Sequence, residues 1–418
     1  MKQEIALLRK RILSDKRCHA DAPVYIFDQQ ALCDSVDDFM ESFASANLSV
    51  QPFYAMKSNP YPALLATLNR KGIGVDVSSE QELSIAVKAK VRRIMVTGPG
   101  KTEAFFRALS RVPAVEVIYL ESLQELSNFK KVFKRVPTHC KIGVRVVPSA
   151  YAAWDKFGIA LSELGSFIRA ANRQHIPIEA IQFHISYVKD ARTHAAALTE
   201  LAEFSASHLR ATERNQIKII DIGGGFMPQT MEGDYPWNPK GYSLFDIDSI
   251  KEKILNLPPH KRATFSKPAS LTQTAKQVAL VWRNKILPCF PSAELFAEPG
   301  RYFSHRSMHI LLKVIDKKHR RAAILNGGWN MLGWEKYQYL SYVPAYNIDH
   351  FSLSKEQPCV LYGNLCLPDD IWGYYVHGTK LTIGDRILLP YQGAYTYTYR
   401  QEFIRGIPHV IDWKGERR

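Results

Sequence analysis

Several short segments of this chain carry residue types suited to chemistry. Lys57 lies in Tyr54-Ala55-Met56-Lys57-Ser58-Asn59-Pro60, directly after an apolar run. An amine there is costly unless it is paired or reactive. Such a lysine can form an imine with an aldehyde, or simply extend its stem along a rim with the ammonium in water. Gly223, Gly224 and Gly225 follow a second apolar run, in Asp221-Ile222-Gly223-Gly224-Gly225-Phe226. Three glycines let the backbone approach an anion and aim amides at it; the other reading is a tight turn. Glu298 and Arg301 close a third run, in Glu298-Pro299-Gly300-Arg301. The arginine can bind a phosphate, or pair with a carboxylate at the surface. The glutamate can keep a pyridine nitrogen protonated, or serve as a helix cap or as a partner for Arg301. His184 follows a fourth run and can stack on a flat ring or sit hydrogen-bonded in the interior.

These residues need elements to position them. An opening strand at 24–27 precedes eight β-branched or apolar runs at 50–55, 73–77, 93–96, 115–120, 142–147, 178–183, 217–222 and 293–297. Helix-like stretches fill most intervals, at 63–70, 80–90, 101–110, 122–133, 161–173 and 194–213. The alternation implies parallel strands with crossover helices. Eight units suggest an α/β fold built on a (β/α)8 TIM-type barrel, with an open doubly wound sheet as the alternative. In such a barrel, chemistry gathers just past the C-terminal strand ends. Lys57 follows the first strand, Asp76 ends the second, Arg145 lies near the end of the fifth, and His184 ends the sixth. The triple glycine ends the seventh, and Glu298 ends the eighth. Beyond about residue 300, short strands at 307–316, 321–325, 359–362 and 386–390 predict a mostly antiparallel β domain. The expected division is a barrel over 29–300, with a long insertion at 227–291, and a β domain from 1–28 and 301–418. That insertion contains Tyr235-Pro236-Trp237-Asn238-Pro239 and a helical stretch at 271–284. Loops of this length often form lids or substrate walls, and an inert insertion is equally compatible.

Composition narrows the classes. The 418 residues can bury a large core, and 46% hydrophobic with 23% charged residues is ordinary for a globular protein. No run of 18 apolar residues signals a membrane span. The opening MKQEIALLRKRIL reads as an amphipathic helix rather than a signal peptide, so a cytoplasmic location is expected. Six scattered cysteines, without a CxxC pair or zinc spacing, predict reduced thiols and no metal. The net charge of +15 can attract anionic ligands, but its basic clusters are short and no nucleic-acid motif accompanies them.

Taken together, the motifs identify a family. The chain resembles the fold-type III pyridoxal-phosphate (PLP) decarboxylases, the ornithine, diaminopimelate and arginine decarboxylase superfamily, from Ala22-Pro23-Val24-Tyr25 to Tyr395. The resemblance rests on Tyr-Ala-Met-Lys-Ser-Asn-Pro, Gly-Val-Asp-Val-Ser-Ser-Glu-Gln-Glu-Leu, Asp-Ile-Gly-Gly-Gly-Phe and Glu-Pro-Gly-Arg. Gly363-Asn364-Leu365-Cys366 and Gly393-Ala394-Tyr395 complete it. It implies an alanine racemase/ornithine decarboxylase-like fold and decarboxylation of an amino acid through an aldimine on Lys57. It places Asp76, Glu82 and Arg145 in the polar network around that lysine, and His184 on the cofactor ring. Gly223, Gly224, Gly225, Arg301 and Tyr395 would hold the phosphate, and Glu298 the pyridinium nitrogen. Cys366 would come from the partner in a head-to-tail homodimer with shared sites, and Cys366 or Lys57 would return a proton to Cα. Asp370 also matches a family position.

The departures lie at the substrate end. Leu367 stands where the family places an acid after Cys366. Gly327, in Asn326-Gly327-Gly328-Trp329-Asn330, stands where an aspartate is common, and Trp334 lies near a position that holds an arginine in the diaminopimelate enzymes. His184-Ile185-Ser186-Tyr187 replaces His-Val-Gly-Ser and narrows the space near the phosphate. A distal ammonium without a counter-charge in an apolar pocket is disfavoured. The expectation is a larger or atypical amino acid, such as a siderophore or other secondary-metabolite intermediate, free, conjugated or carrier-bound. Trp329, Trp334, Leu367 and Asp370 are the candidate substrate residues; the tryptophans are equally compatible with ordinary core. The alternatives are diaminopimelate or a basic amino acid as substrate, a fold-type III racemase, or a non-catalytic decarboxylase-like regulator.

Overall fold

The computed structural model describes residues 2–19, 21–151, 155–229, 233–234, 255–258, 267–319, 321–332 and 341–415. The chain divides into two compact units. One comprises 33–229 and 268–303, the other 1–32, 230–267 and 304–418.

The first unit is a closed barrel of eight parallel strands. They are β1 (Gln51–Ala55), β2 (Gly74–Val77), β3 (Ile94–Val96), β4 (Val115–Leu120), β5 (Lys141–Val147), β6 (Ile178–Gln182), β7 (Ile219–Asp221) and β8 (Glu294–Ala297). Each pairs with the next, and β8 closes on β1 through Phe296 opposite Gln51. This excludes the open sheet. Phe53, Met95, Val117, Tyr119, Ala180, Ile219 and Phe296 form a buried cluster, in which Phe53 and Phe296 stack at 5.3 Å. The interior is therefore filled by side chains below the strand ends, and polar groups can gather only at the rim.

The crossover helices begin where short polar side chains satisfy their first amides. Ser79, Thr102, Ser122 and Ser270 each accept a hydrogen bond from the amide three residues on. The helical stretch expected at 194–213 is two helices, Thr193–His208 and Ala211–Asn215. Leu209 is extended, and the Glu213 carboxylate accepts from the Arg210 amide to start the second helix. The segment expected as an insertion at 227–291 also divides. Helix Leu271–Val281 packs on Thr193–His208 as a barrel helix between β7 and β8, whereas 230–267 belongs with the other unit. The motif at 235–239 lies outside the described residues.

The second unit is a mixed eight-stranded sheet. In spatial order its strands are Ala322–Leu325, Glu356–Tyr362, Ile371–His377, Tyr346–Asn347, Arg386–Leu389, Met308–His319, Val24–Asp28 and Val410–Trp413. Met308–His319 is antiparallel to three neighbours, while Val24–Asp28 pairs in parallel with Val410–Trp413. Helix Lys2–Ser14 lays Ile5, Leu8 and Ile12 on a core containing Val24, Ile26, Leu311, Leu388 and Ile411. That spacing gives the helix its one apolar face.

Phe296→Ala should destabilise the barrel by about 3–5 kcal/mol, because it opens a cavity against Phe53. A denaturant melt read by circular dichroism measures the loss.

Candidate active site

Lys57 sits in a single turn, Met56–Ser58, that ends β1 at the C-terminal rim. Its positive charge acts on Asp76, Glu82, His184 and Glu298. The side chains expected from β1, β2, β6 and β8 therefore converge there. Asp76 is fully buried and accepts a 2.7 Å bond from the Thr97 hydroxyl, while its second oxygen has no hydrogen-bond partner. Glu82 accepts a 2.7 Å bond from the Ser78 amide. Arg145, on β5, lies 3.4 Å from Glu121 and 4.6 Å from the Phe157 ring centroid, and its charge also reaches His184.

Glu298 organises the rim. Its Oε1 accepts a 2.8 Å bond from the Gln182 amide, and its Oε2 lies 3.2 Å from His184 Nδ1. Burial opposes its ionisation. The His184 hydrogen bond, the Lys57 charge and the Gln182 amide outweigh that and hold it down at about 2. Burial and the neighbouring Glu298 charge push Asp76 and Asp221 the other way, well above the usual carboxylate range. Three acids this close cannot all ionise, and the negative charge settles on Glu298. Burial also lowers His184, so a neutral ring donates from Nδ1 to the carboxylate. The Gly224 amide approaches the same nitrogen at 3.2 Å. One nitrogen cannot serve both, so these two bonds are alternatives.

The triple glycine forms a cradle beside this cluster. Gly223 and Gly225 have φ of +65° and +85°, which favour glycine. A Cβ on Gly223 would lie 2.4 Å from the Phe183 carbonyl, and one on Gly225 would lie 2.2 Å from that of Ile185. The Gly225 and Phe226 amides have no partner among the described residues. Arg301 lies over the Tyr187 ring, its guanidinium carbon 5.3 Å from the centroid. One wall thus offers anion donors, and the other offers an amine and a carboxylate.

Residues 33–305 match the family described as pyridoxal-dependent decarboxylase, pyridoxal binding domain. The chain belongs to that family. The enzyme is 25% identical to the 2-[(L-alanin-3-ylcarbamoyl)methyl]-2-hydroxybutanedioate decarboxylase of Staphylococcus aureus, over 94% of this chain and 92% of the relative. It is 23% identical to a probable ornithine decarboxylase of Dictyostelium discoideum, over 85% and 72%. The crystal structure of Helicobacter pylori diaminopimelate decarboxylase complexed with L-lysine has the same fold. Its TM-score is 0.75 at 19% identity, covering 97% of this chain and 94% of that one. The enzyme is a PLP-dependent amino-acid decarboxylase. Its rim fits the cofactor: an amine for the aldehyde, an ionised carboxylate for the ring nitrogen, and unpartnered amides for the phosphate.

The remaining expected residues belong to the second unit. Cys366 is exposed and Leu367 half-buried, on the turn after Glu356–Tyr362. Tyr395 has φ of +59° and stacks near Tyr399. Asp370 is buried, and its carboxylate accepts from the Trp329 amide at 2.7 Å and the Leu365 amide at 2.8 Å. Both oxygens staple two backbone segments together. Trp334 lies outside the described residues. Among those residues no helix is long and apolar enough to cross a membrane, and no cluster of metal-ligating side chains forms. The six cysteines are free thiols.

Sequence reasoning missed Gln182, Thr97 and Glu121. Gln182 had a signal: it precedes His184 by two residues, and strand alternation puts both on one face. Thr97 and Glu121 follow β3 and β4, where no motif drew attention.

Burial raises the Asp370 carboxyl to about 6, so the folded state binds its proton more tightly than the unfolded chain. Stability should therefore fall as pH rises from about 4 to about 6. Asp370→Asn should remove that slope and cost about 1–3 kcal/mol, because an NH2 would face an amide donor. Thermal melts across this pH range test both effects.

Proposed function

We propose that this decarboxylase acts on an amino acid whose distal end carries carboxylates rather than an ammonium, as in a siderophore or related secondary-metabolite intermediate. The carrying observation is the substrate-end turn. Leu367 follows Cys366, and Asp370 commits both oxygens to backbone amides. A distal ammonium would meet leucine where the family usually supplies a carboxylate, whereas a distal carboxylate escapes that repulsion. The net charge of +15 favours the approach of such an anion. The S. aureus relative supports the same direction. Its named substrate is an alanine joined through C3 to a hydroxybutanedioate, and the likeness runs through most of both chains.

The bound cofactor supplies an electrophilic aldehyde and an electron-poor ring that accepts the electron pair of the breaking Cα–carboxylate bond. Lys57 would hold the cofactor through its amine. Glu298, ionised, would keep the ring nitrogen protonated. His184 would lie against the ring, while Asp76, Glu82 and Arg145 would fix the charge around Lys57. Gly223 to Gly225, Arg301 and Tyr395 would hold the phosphate. Cys366 of a second copy, in a head-to-tail homodimer, returns a proton to Cα; Lys57 is the alternative donor.

Lys57→Ala should abolish the visible absorbance of the lysine-bound cofactor together with turnover; persistence of both would reassign the lysine. Carbon dioxide release should favour the amide-linked hydroxybutanedioate substrate over ornithine, lysine and diaminopimelate by about 100-fold or more in kcat/KM. A preference for ornithine or diaminopimelate would overturn the substrate assignment and leave the cofactor chemistry standing.

A further inference from the structure

We propose that His194 is a positioning residue that sets the phosphate-binding amides of the glycine cradle from behind. His194 lies in the first turn of helix Thr193–His208 and is completely buried. Its Nε2 lies 2.9 Å from the Gly224 carbonyl. A carbonyl only accepts, so Nε2 carries the proton and donates. Its Nδ1 has no partner, and burial lowers the ring to about 4, so the imidazole is neutral and its one polar contact is this bond. The ring stacks on Phe226 at 4.7 Å and 10°, and Phe226 in turn meets Phe39 edge-on at 5.2 Å. The imidazole therefore cannot swing away from the loop.

The consequence follows from peptide planarity. In a trans peptide the carbonyl of one residue and the amide of the next point in opposite directions. The Gly223 carbonyl accepts from the Glu298 amide at 2.8 Å, and the Gly225 carbonyl accepts from the Val188 amide at 3.0 Å. The Gly224 carbonyl accepts from His194. All three carbonyls are tied into the protein, so the amides of Gly224, Gly225 and Phe226 turn to the opposite side. Gly224 N–H points at His184 Nδ1, which marks that side as the rim. The outer two peptides are fixed by backbone donors that any sequence would supply. The middle peptide, which aims the Gly225 amide, is fixed by a side chain. Without that donor, the peptide joining Gly224 to Gly225, the latter at φ of +85°, has no Cβ on either side to oppose a flip.

The proposal rests on the phosphate lying in this cradle. PLP and phosphate-free pyridoxal are titrated separately into the resolved full-length enzyme and read by visible absorbance. In His194→Gln the amide Nε2 occupies the place of the imidazole Nε2. In His194→Phe the stack remains without a donor, and in His194→Asn the amide is too short to reach. PLP affinity should fall about 10-fold in H194F and H194N, the equivalent of one hydrogen bond, and stay within about 3-fold in H194Q. Pyridoxal affinity should be unchanged in all three. Equal weakening of PLP and pyridoxal would show a merely structural histidine and overturn the proposal, as would unchanged PLP affinity in H194F and H194N. Should H194F fail to fold, the H194Q and H194N pair decides alone. Absence of a PLP advantage over pyridoxal in the wild-type enzyme would overturn the phosphate assignment itself, a result distinct from any variant effect.

Discussion

A single negative charge held in the protein interior governs the rest of the architecture. Glu298 is almost inaccessible to solvent, yet it is ionised, because the Gln182 amide, the His184 ring and the Lys57 charge replace the water it has lost. A buried carboxylate without such partners would take up a proton instead. Lys57 follows β1, which pairs with β8, but Gln182 and His184 come from β6 and must reach Glu298 across the end of β7. The glycine cradle makes that crossing possible. A Cβ on Gly224 would stand 2.9 Å from both the Glu298 carbonyl and the His184 ring. The loop that offers amides to an anion is thus also the thin wall that lets the carboxylate meet its donors.

The same charge explains why two further buried acids cost so little. Asp76 and Asp221 sit close enough to Glu298 to be held in their neutral forms. Asp76 receives the Thr97 hydroxyl, and Asp221 receives the Gly223 amide at 2.8 Å, fixing the start of the cradle. The rim therefore gathers the ionised Glu298, the Lys57 amine, the Arg145–Glu121 pair and the cradle amides. That distribution matches a zwitterionic aromatic aldehyde phosphate far better than a metal ion or a nucleotide.

The barrel carries the groups suited to the cofactor. Asp370 shows why position in a motif is an incomplete guide to role. Its carboxylate binds the Trp329 and Leu365 amides and shapes the turn that presents Cys366 and Leu367.

The sequence alone determined the eight-strand alternation, the amphipathic first helix, and the set of Lys57, Asp76, His184, Gly223 to Gly225, Glu298 and Arg301. Each lies at the end of an apolar run or within four residues after it, so local periodicity and motif order drew attention to it. Barrel closure required the pairing of Phe296 with Gln51, a contact between strands more than 240 residues apart that no local pattern encodes. The ionisation of the three acids likewise depends on distances between separate strand ends. His194 was unreadable for the same reason: in sequence it is one histidine in an alanine-rich helix, and only folding brings it to the Gly224 carbonyl. Side-chain type and spacing fix what a residue can do, but the partners that select its protonation state and direction are assembled only by long-range packing.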